Sequence, residues 1–243
     1  NHLMQLCALT VMEPPASLSA DGIRNEKVKV MQSVEPVRLE DTVRAQYDGY
    51  RDHEGVAEGS ETPTYAAMKL HLNTWRWSGV PFYLRSGKAL ATKASEITVR
   101  FQRPPGVLFN LAHSDYTPNT ISICIQPDEG THLKFQAKVP DRANASKSVN
   151  MEFHYGDTFP EQPLPDAYER LLLDAILGDA SLFTRSDGIA AEWSVIDPII
   201  RGWENDPQAP PLGRYAKGGW GPKEADELLS RSGHEWLLGC GGH

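Results

Sequence analysis

Four segments in the middle of the chain alternate apolar and polar residues, and this pattern constrains the fold more than any other sequence feature. In the second segment, apolar Ile121 and Ile123 flank polar Ser122. A period of two places apolar side chains on one face of a β-strand and polar side chains on the other. The pattern therefore predicts an antiparallel sheet with one packed face. The apolar members are Ile97, Val99 and Phe101; Ile121, Ile123 and Ile125; Leu133, Phe135 and Ala137; and Met151, Phe153 and Tyr155.

Three further strands are predicted before these segments, over residues 37–47, 64–72 and 80–84. The second alternates with period two, although its preceding Thr62-Pro63 is also typical of a helix start. The third is short, apolar and aromatic, and it follows a glycine turn. We expect the second and third strands to form an antiparallel pair.

Helical periodicity occupies both ends of the chain. Residues 2–13 form a predicted helix that ends at Pro14-Pro15, and a second predicted helix runs from Ser19 to Pro36. The order of helices, strands and helices predicts an α+β fold with a large, mainly antiparallel sheet and helices packed on one face. Further helices are predicted between Pro165 and Gly178, from Ser186 to Trp203 with a kink or restart at Pro198, and from Lys223 to Ser230.

The charge balance limits the classes of ligand that the surface attracts. The 243 residues carry 24 basic and 32 acidic side chains, a net charge of −8. Nonspecific nucleic-acid binding needs a basic surface, so a phosphate site must be a local cationic cluster. The length fits one large domain or two. With no membrane-spanning run and no signal peptide, we expect a cytoplasmic protein.

Cysteine and histidine spacing predicts neither a disulfide framework nor a metal site. Cys7, Cys124 and Cys240 are far apart and show no CxxC spacing, which predicts free thiols in a reducing compartment. The eight histidines show no metal-ligand spacing. His132 and His154 fall on the polar side of predicted strands and are interpreted as solvated or structural, so no metal is expected.

A cluster of cations follows the strand over residues 80–84. Arg85, Lys88 and Lys93 surround the Ser86-Gly87 turn. Such a turn is compatible with an anion site in which lysine supplies a mobile point charge for phosphate. A solvated loop explains the same pattern, and by itself the pattern favours the solvated loop.

Two other residues carry candidate chemistry. His2 begins the first predicted helix and has the pKa range of a general base, although a lone histidine is usually an ordinary surface or core residue. Gln126 closes a strand on its polar side, where an amide binds sugar hydroxyls or merely ends a strand. The sequence contains no GxGxxG, GxxxxGK[ST], GxSxG or HExxH motif.

The chain resembles the C-terminal domain of glucose-6-phosphate dehydrogenase over nearly its whole length. Each matching segment is weak alone, and their common order and spacing are specific. They are Asn1–Gln5, Met12–Pro15, Arg24–Val30, Trp75–Lys88, Ile125–Gly130, Tyr155–Gly156, Pro165–Asp174, Phe183–Asp187 and Gly221–Asp226.

The resemblance implies a role for each candidate residue. His2 matches the histidine of the family's Gln-Asn-His motif, the general base that takes the proton of the sugar C1 hydroxyl. Lys88 and Lys93 match residues that hold the phosphate and sugar oxygens, and Gln126 matches a sugar contact. The family oxidises glucose 6-phosphate to 6-phosphogluconolactone with NADP, or NAD in some members, in the pentose phosphate pathway.

The resemblance also implies what residues 1–243 lack. The family binds NADP in an N-terminal Rossmann domain, which also carries the aspartate that orients the catalytic histidine. We therefore expect a substrate-binding and dimerisation domain with little activity alone, and a homodimer through the sheet. Ala94 and Thr98 stand where a second, structural NADP site needs cations, although Arg85 and Lys134 are retained, so that site is expected to be missing or weak.

Two alternatives remain beside this interpretation. A noncatalytic sugar-phosphate-binding or assembly module of the same family would carry the same motifs; the start at Asn1, inside a helical pattern, favours a truncated dehydrogenase. An unrelated lectin-like binder would expose aromatic platforms such as Trp75 and Trp77, which here belong to a matched motif.

Overall fold

Within residues 2–102, 117–141, 145–161 and 167–240, which the computed structural model describes, the chain forms six α-helices and eight β-strands. Two compact units contain them: Asn1–Ala91 with Pro165–Glu235, called unit 1, and Thr92–Leu164 with Trp236–His243, called unit 2. Asn1, Pro165 and Asp166 of the predicted motifs lie outside the described residues. The helices are α1 His2–Val11, α2 Ala20–Gln32, α3 Tyr155–Thr158, α4 Ala167–Leu177, α5 Ser186–Asn205 and α6 Lys223–Ser230; the strands are β1 Thr42–Tyr47, β2 Tyr65–Leu70, β3 Phe82–Gly87, β4 Ser95–Arg100, β5 Thr120–Gln126, β6 Gly130–Lys138, β7 Ser146–His154 and β8 Leu212–Tyr215.

Unit 1 contains a four-stranded sheet with the order β3-β2-β1-β8. The predicted antiparallel pair of β2 and β3 is confirmed, and β1 also pairs antiparallel with β2. The edge strand β8 pairs parallel with β1. The predicted strand over residues 37–47 begins later, because Leu39–Asp41 forms a 3₁₀ turn before β1.

Three helices cover one face of this sheet. The buried sides of α1, α2 and α5 share one apolar core with alternate residues of β2, including Met68 and Leu70. The Ser19 side chain caps α2 by accepting a hydrogen bond from the Gly22 amide. The long helix α5 continues through Pro198 rather than restarting there.

The short helix α6 packs on the opposite face of the unit 1 sheet. Its buried residues Ala225, Leu228 and Leu229 lie on the side of Tyr65 and Ala67, the alternate residues of β2. Gly221, just before α6, has φ +113, and a Cβ there would lie 2.6 Å from the Tyr65 ring. Glycine is therefore required where this helix approaches the sheet.

Unit 2 contains a second four-stranded sheet, with the order β4-β5-β6-β7. All three strand pairs are antiparallel, and the four alternating segments of the sequence form its strands, except that Phe101 lies just beyond β4 and Tyr155 begins α3. The α+β class and the mainly antiparallel pairing are thus confirmed, with the strands divided between two sheets. Periodicity assigns each strand a face but does not identify its neighbours, so it does not reveal this division.

The prediction of three free thiols is wrong for two of the cysteines. Cys124 and Cys240 form a disulfide, with Cα atoms 5.6 Å apart and 116 residues between them in sequence. The chain after Trp236 returns to unit 2, which local sequence spacing does not indicate. Cys7 is free and buried in the core of unit 1.

No helix in the described part of the chain is both long and apolar enough to cross a membrane.

Burial of Cys7 makes the stability of the protein depend on pH. Desolvation raises the pKa of the Cys7 thiol from 9.0 to about 11. The unfolded chain therefore ionises this thiol first, so its contribution to folding is complete below pH 9.0 and is lost as the pH rises towards about 11. Between about pH 8 and about pH 10, we expect it to lower the free energy of unfolding by about 1 kcal/mol.

Urea unfolding of the wild-type chain and of Cys7→Ala at both pH values isolates this contribution. The wild-type protein should lose more stability than the variant, because alanine does not titrate. The same loss in both proteins would contradict the assignment.

Candidate functional site

The turn that carries Lys88 is held through its backbone. Directly after β3, the Lys88 amide donates to the Thr64 carbonyl at 2.8 Å, and the Lys88 carbonyl accepts from the Tyr215 hydroxyl at 2.8 Å. Ala89 follows with φ 49 in the left-handed region, and its carbonyl accepts from the Gly218 amide at 2.9 Å. The Lys88 side chain itself is exposed. A fixed backbone with an exposed ammonium group is suited to presenting a positive charge to an anion.

Arg85, the first cation of the predicted cluster, packs within the fold. Its guanidinium lies over the Trp220 ring, 5.8 Å from the centroid. Its positive charge also opposes the effect of burial, which raises the pKa of Tyr65 to about 12. Arg85 therefore supports the sheet face beneath α6, and Lys88 is the exposed cation of this turn.

His2 is exposed at the amino end of α1. At the other end of the helix, Trp77 Nε1 donates to the Val11 carbonyl at 2.8 Å, and the Trp77 ring packs against Phe82 at the start of β3. The carboxyl end of α1 thus lies beside the start of β3. Helix α1 also packs on β3.

A shallow cleft opens between α1, α2 and α5, one helical turn from His2. Gln5 of α1 donates to the Glu192 carboxylate of α5, and Lys27 of α2 also lines the cleft. Lys27 and Glu192 are buried. Burial lowers the pKa of Lys27 and raises the pKa of Glu192, while their mutual attraction opposes both shifts.

The charges lining this cleft were missed by sequence reasoning, although the sequence contains a signal for one of them. Lys27 lies on the apolar stripe of α2, where a cation requires a buried partner. Its partner Glu192 is 165 positions away in the chain, and no local pattern connects the two residues. The cleft therefore contains buried charged side chains that the sequence alone did not bring together.

Lys93 and Gln126 belong to unit 2 and lie close together. Gln126 ends β5 and pairs across the strands with Ser95, whose hydroxyl accepts from Gln126 Nε2 at 2.8 Å. Lys93 is exposed and lies two residues before Ser95, the first residue of β4. A cation and an amide are therefore available together at this end of the second sheet.

The four predicted residues divide equally between the units, with His2 and Lys88 in unit 1 and Lys93 and Gln126 in unit 2. Their side chains are chemically suited to a phosphorylated sugar. Ammonium groups bind phosphate, an amide binds hydroxyl groups, and a neutral imidazole accepts a proton near neutral pH.

Comparison with known proteins identifies relatives along the whole chain. Residues 1–237 match the family model described as glucose-6-phosphate dehydrogenase, C-terminal domain. The glucose-6-phosphate 1-dehydrogenase of Chlamydia pneumoniae is 42% identical over 97% of this chain and 48% of the relative. That of Dictyostelium discoideum is 40% identical over 98% of this chain and 49% of the relative. The chain thus spans about half the length of these curated relatives.

Solved structures agree with this match. The Mycobacterium avium glucose-6-phosphate 1-dehydrogenase superposes with a TM-score of 0.84 at 35% identity, over 98% of this chain and 49% of that chain. A glucose-6-phosphate dehydrogenase solved in complex with its substrate glucose 6-phosphate superposes with a TM-score of 0.87 at 34% identity, over 98% of this chain and 50% of that chain. From its fold, its matched motifs and these relatives, the chain belongs to the glucose-6-phosphate dehydrogenase family, whose C-terminal domain it matches.

Proposed function

We propose that this chain forms the sugar-phosphate-binding half of a glucose-6-phosphate dehydrogenase active site. The exposed Lys88, on a turn fixed through both its amide and its carbonyl, is the observation that supports this function most strongly. A glucose-6-phosphate complex of a relative with the same fold points to the same ligand class.

In this proposal, Lys88 and Lys93 hold the phosphate and neighbouring sugar oxygens by charge-assisted hydrogen bonds. Gln126 binds sugar hydroxyls through its amide oxygen while its Nε2 stays on Ser95. Holding the phosphate end of the sugar leaves C1 as the end presented to the base. Gln5, one helical turn after His2, is held by its hydrogen bond to Glu192 of α5.

His2 takes the proton of the C1 hydroxyl when C1 is oxidised from the hemiacetal to the lactone. NADP, when bound, accepts the hydride that leaves C1. The 243 residues contain no glycine-rich coenzyme motif, so we assign no NADP contact to them. We expect the chain alone to bind glucose 6-phosphate with little or no turnover.

We also propose a homodimer through the apolar face of the second sheet. Three large apolar side chains on this face are exposed: Met151 at 60%, Ile123 at 41% and Phe153 at 37%. They alternate with the polar residues that face the other way, so all three lie on the same face of the sheet. Exposed apolar patches of this kind commonly mark interfaces between subunits.

A cytoplasmic location is part of the same proposal and rests on the family. The sequence argument from three free thiols no longer supports it, because Cys124 and Cys240 form a disulfide.

Removing the Lys88 charge should weaken substrate binding. We expect Lys88→Ala to reduce the affinity for glucose 6-phosphate at least about tenfold in calorimetric titration, because a charge-assisted contact contributes about 1.5–3 kcal/mol. Affinity for unphosphorylated glucose should change little. Lys147→Ala, which removes an exposed cation from β7, is the matched control and should bind like the wild-type chain.

Equal affinity of Lys88→Ala and the wild-type chain would remove Lys88 from the site. NADP reduction by the chain alone at the rate of the full-length relatives would refute the expected lack of turnover.

A charge on the apolar face should dissociate the dimer. We expect the wild-type chain to sediment at twice 26.9 kDa and Met151→Lys to sediment as a monomer, because the lysine would be buried without a partner. Asn150→Lys, one residue earlier on the polar face, should remain dimeric. A monomeric wild-type chain, or a Met151→Lys variant that stays dimeric, would exclude this interface.

A further inference from the structure

The polar face of the second sheet brings together residues that contain good metal-binding groups. Across β5, β6 and β7, Cys124 pairs with Gly130 and Gly130 pairs with His154, while His132 pairs with Glu152. Alternate residues of paired strands share a face, so Cys124, His132, Glu152 and His154 all lie on one side. This cluster shares no residue with the candidate sugar-phosphate site and has no role in the proposed reaction.

Cys240 lies in this cluster, and its chain segment is attached to the sheet by hydrogen bonds in addition to the disulfide. The Cys240 and Gly239 amides donate to Glu96 Oε2 at 2.8 and 3.2 Å. A Cβ on Gly239 would lie 2.0 Å from Ser122 Oγ, so only glycine allows this close approach. These contacts do not require the disulfide, and we expect them to keep Cys240 over the sheet after the disulfide is reduced.

The contact of His132 with the same segment sets its tautomer. His132 Nδ1 lies 2.8 Å from the Gly239 carbonyl oxygen, which only accepts hydrogen bonds. Nδ1 therefore carries the proton, and the basic lone pair is on Nε2. A backbone carbonyl that orients the second ring nitrogen in this way is the usual support of a metal-binding histidine.

The distances within the cluster suit a tetrahedral ion. Ligand atoms of Cys124, His132 and Cys240 lie within 4.8 Å of one another, and those of His132, Glu152 and His154 do also. Zinc–sulfur bonds of about 2.3 Å and zinc–nitrogen bonds of about 2.0 Å need ligands roughly 3.3–3.8 Å apart. Small side-chain rotations reach these separations once the two sulfurs are no longer bonded.

We propose that the reduced form of this cluster binds zinc through Cys124, Cys240 and His132, with His154 or Glu152 as the fourth ligand. A dithiol transfers two electrons and two protons to the disulfide, which becomes two thiols while the dithiol becomes a disulfide. Zinc then displaces the two thiol protons and binds the thiolates. The oxidised form of the cluster has no thiolate and does not bind zinc in this way. Residues 236–240 are therefore linked to the sheet either by the disulfide or by the bound zinc.

A disulfide that only links residues 236–240 to the sheet would not need the His132 imidazole, Glu152 or His154 beside it. Two thiolates and one oriented imidazole are a donor set that zinc prefers over the hard cations magnesium and calcium. The combination of sulfur and nitrogen donors therefore identifies the class of ion.

Cobalt(II) is a suitable probe because its absorption reports the donor atoms. The metal-free chain, reduced with a dithiol and freed of it without oxygen, should bind one Co²⁺ with a near-ultraviolet thiolate charge-transfer band and the visible bands of a tetrahedral site. One equivalent of Zn²⁺ should remove both signals. The oxidised chain should show neither signal.

Variants identify the ligands. Cys240→Ser should lose most of the charge-transfer band, and His132→Gln should weaken Co²⁺ binding more than about tenfold. Cys7→Ala, which removes the buried cysteine of unit 1, is the matched control and should bind like the wild-type chain.

Absence of a thiolate band in the reduced wild-type chain would overturn the proposal. A band that is unchanged in His132→Gln, or a disulfide that the dithiol fails to open, would also overturn it. The comparison of oxidised and reduced wild-type chains needs no variant, so it holds even if a substitution impairs folding. None of these outcomes bears on glucose 6-phosphate binding, so the two proposals fail independently.

Discussion

The hydroxyl of Tyr215 is the contact on which the organisation of the first unit depends most. It lies 2.8 Å from the Lys88 carbonyl, 3.2 Å from the Thr64 carbonyl and 3.1 Å from the Thr64 hydroxyl. One phenol on β8 therefore ties the end of β3 to the start of β2. Burial raises the pKa of Tyr215, so its hydroxyl remains a neutral donor at physiological pH. The turn that presents Lys88 is thus defined by a residue far away in the sequence.

Local periodicity was sufficient to predict most of the elements but not how they assemble. The alternation of Ile121, Ser122 and Ile123 identified β5 and its two faces, and the other alternating segments behaved in the same way. The parallel pairing of β8 with β1 was not predictable, because β8 has four residues and its partner lies far upstream. Pairing depends on the turns and the core that the whole chain forms, which no short window contains.

Local sequence patterns also failed to predict the contacts between distant residues in the candidate site. His2, Lys88, Lys93 and Gln126 were identified from side-chain chemistry and from family motifs, and their roles stay predictions. The partnership of Lys27 with Glu192 and the disulfide of Cys124 with Cys240 were missed, because each joins residues that are distant in sequence. Spacing rules detect ligand sets on one helix or turn, whereas His132 and Cys240 meet only through the fold.

The central claim is that the amino end of α1 and the end of β3 face the same phosphorylated sugar. Nuclear magnetic resonance of the His2 ring, assigned with His2→Gln, tests it directly. Glucose 6-phosphate should shift the His2 ring resonance of the wild-type chain, and the same half-saturating concentration should shift it much less in Lys88→Ala. A His2 resonance that stays unchanged while calorimetry shows the wild-type chain to be saturated would contradict the account.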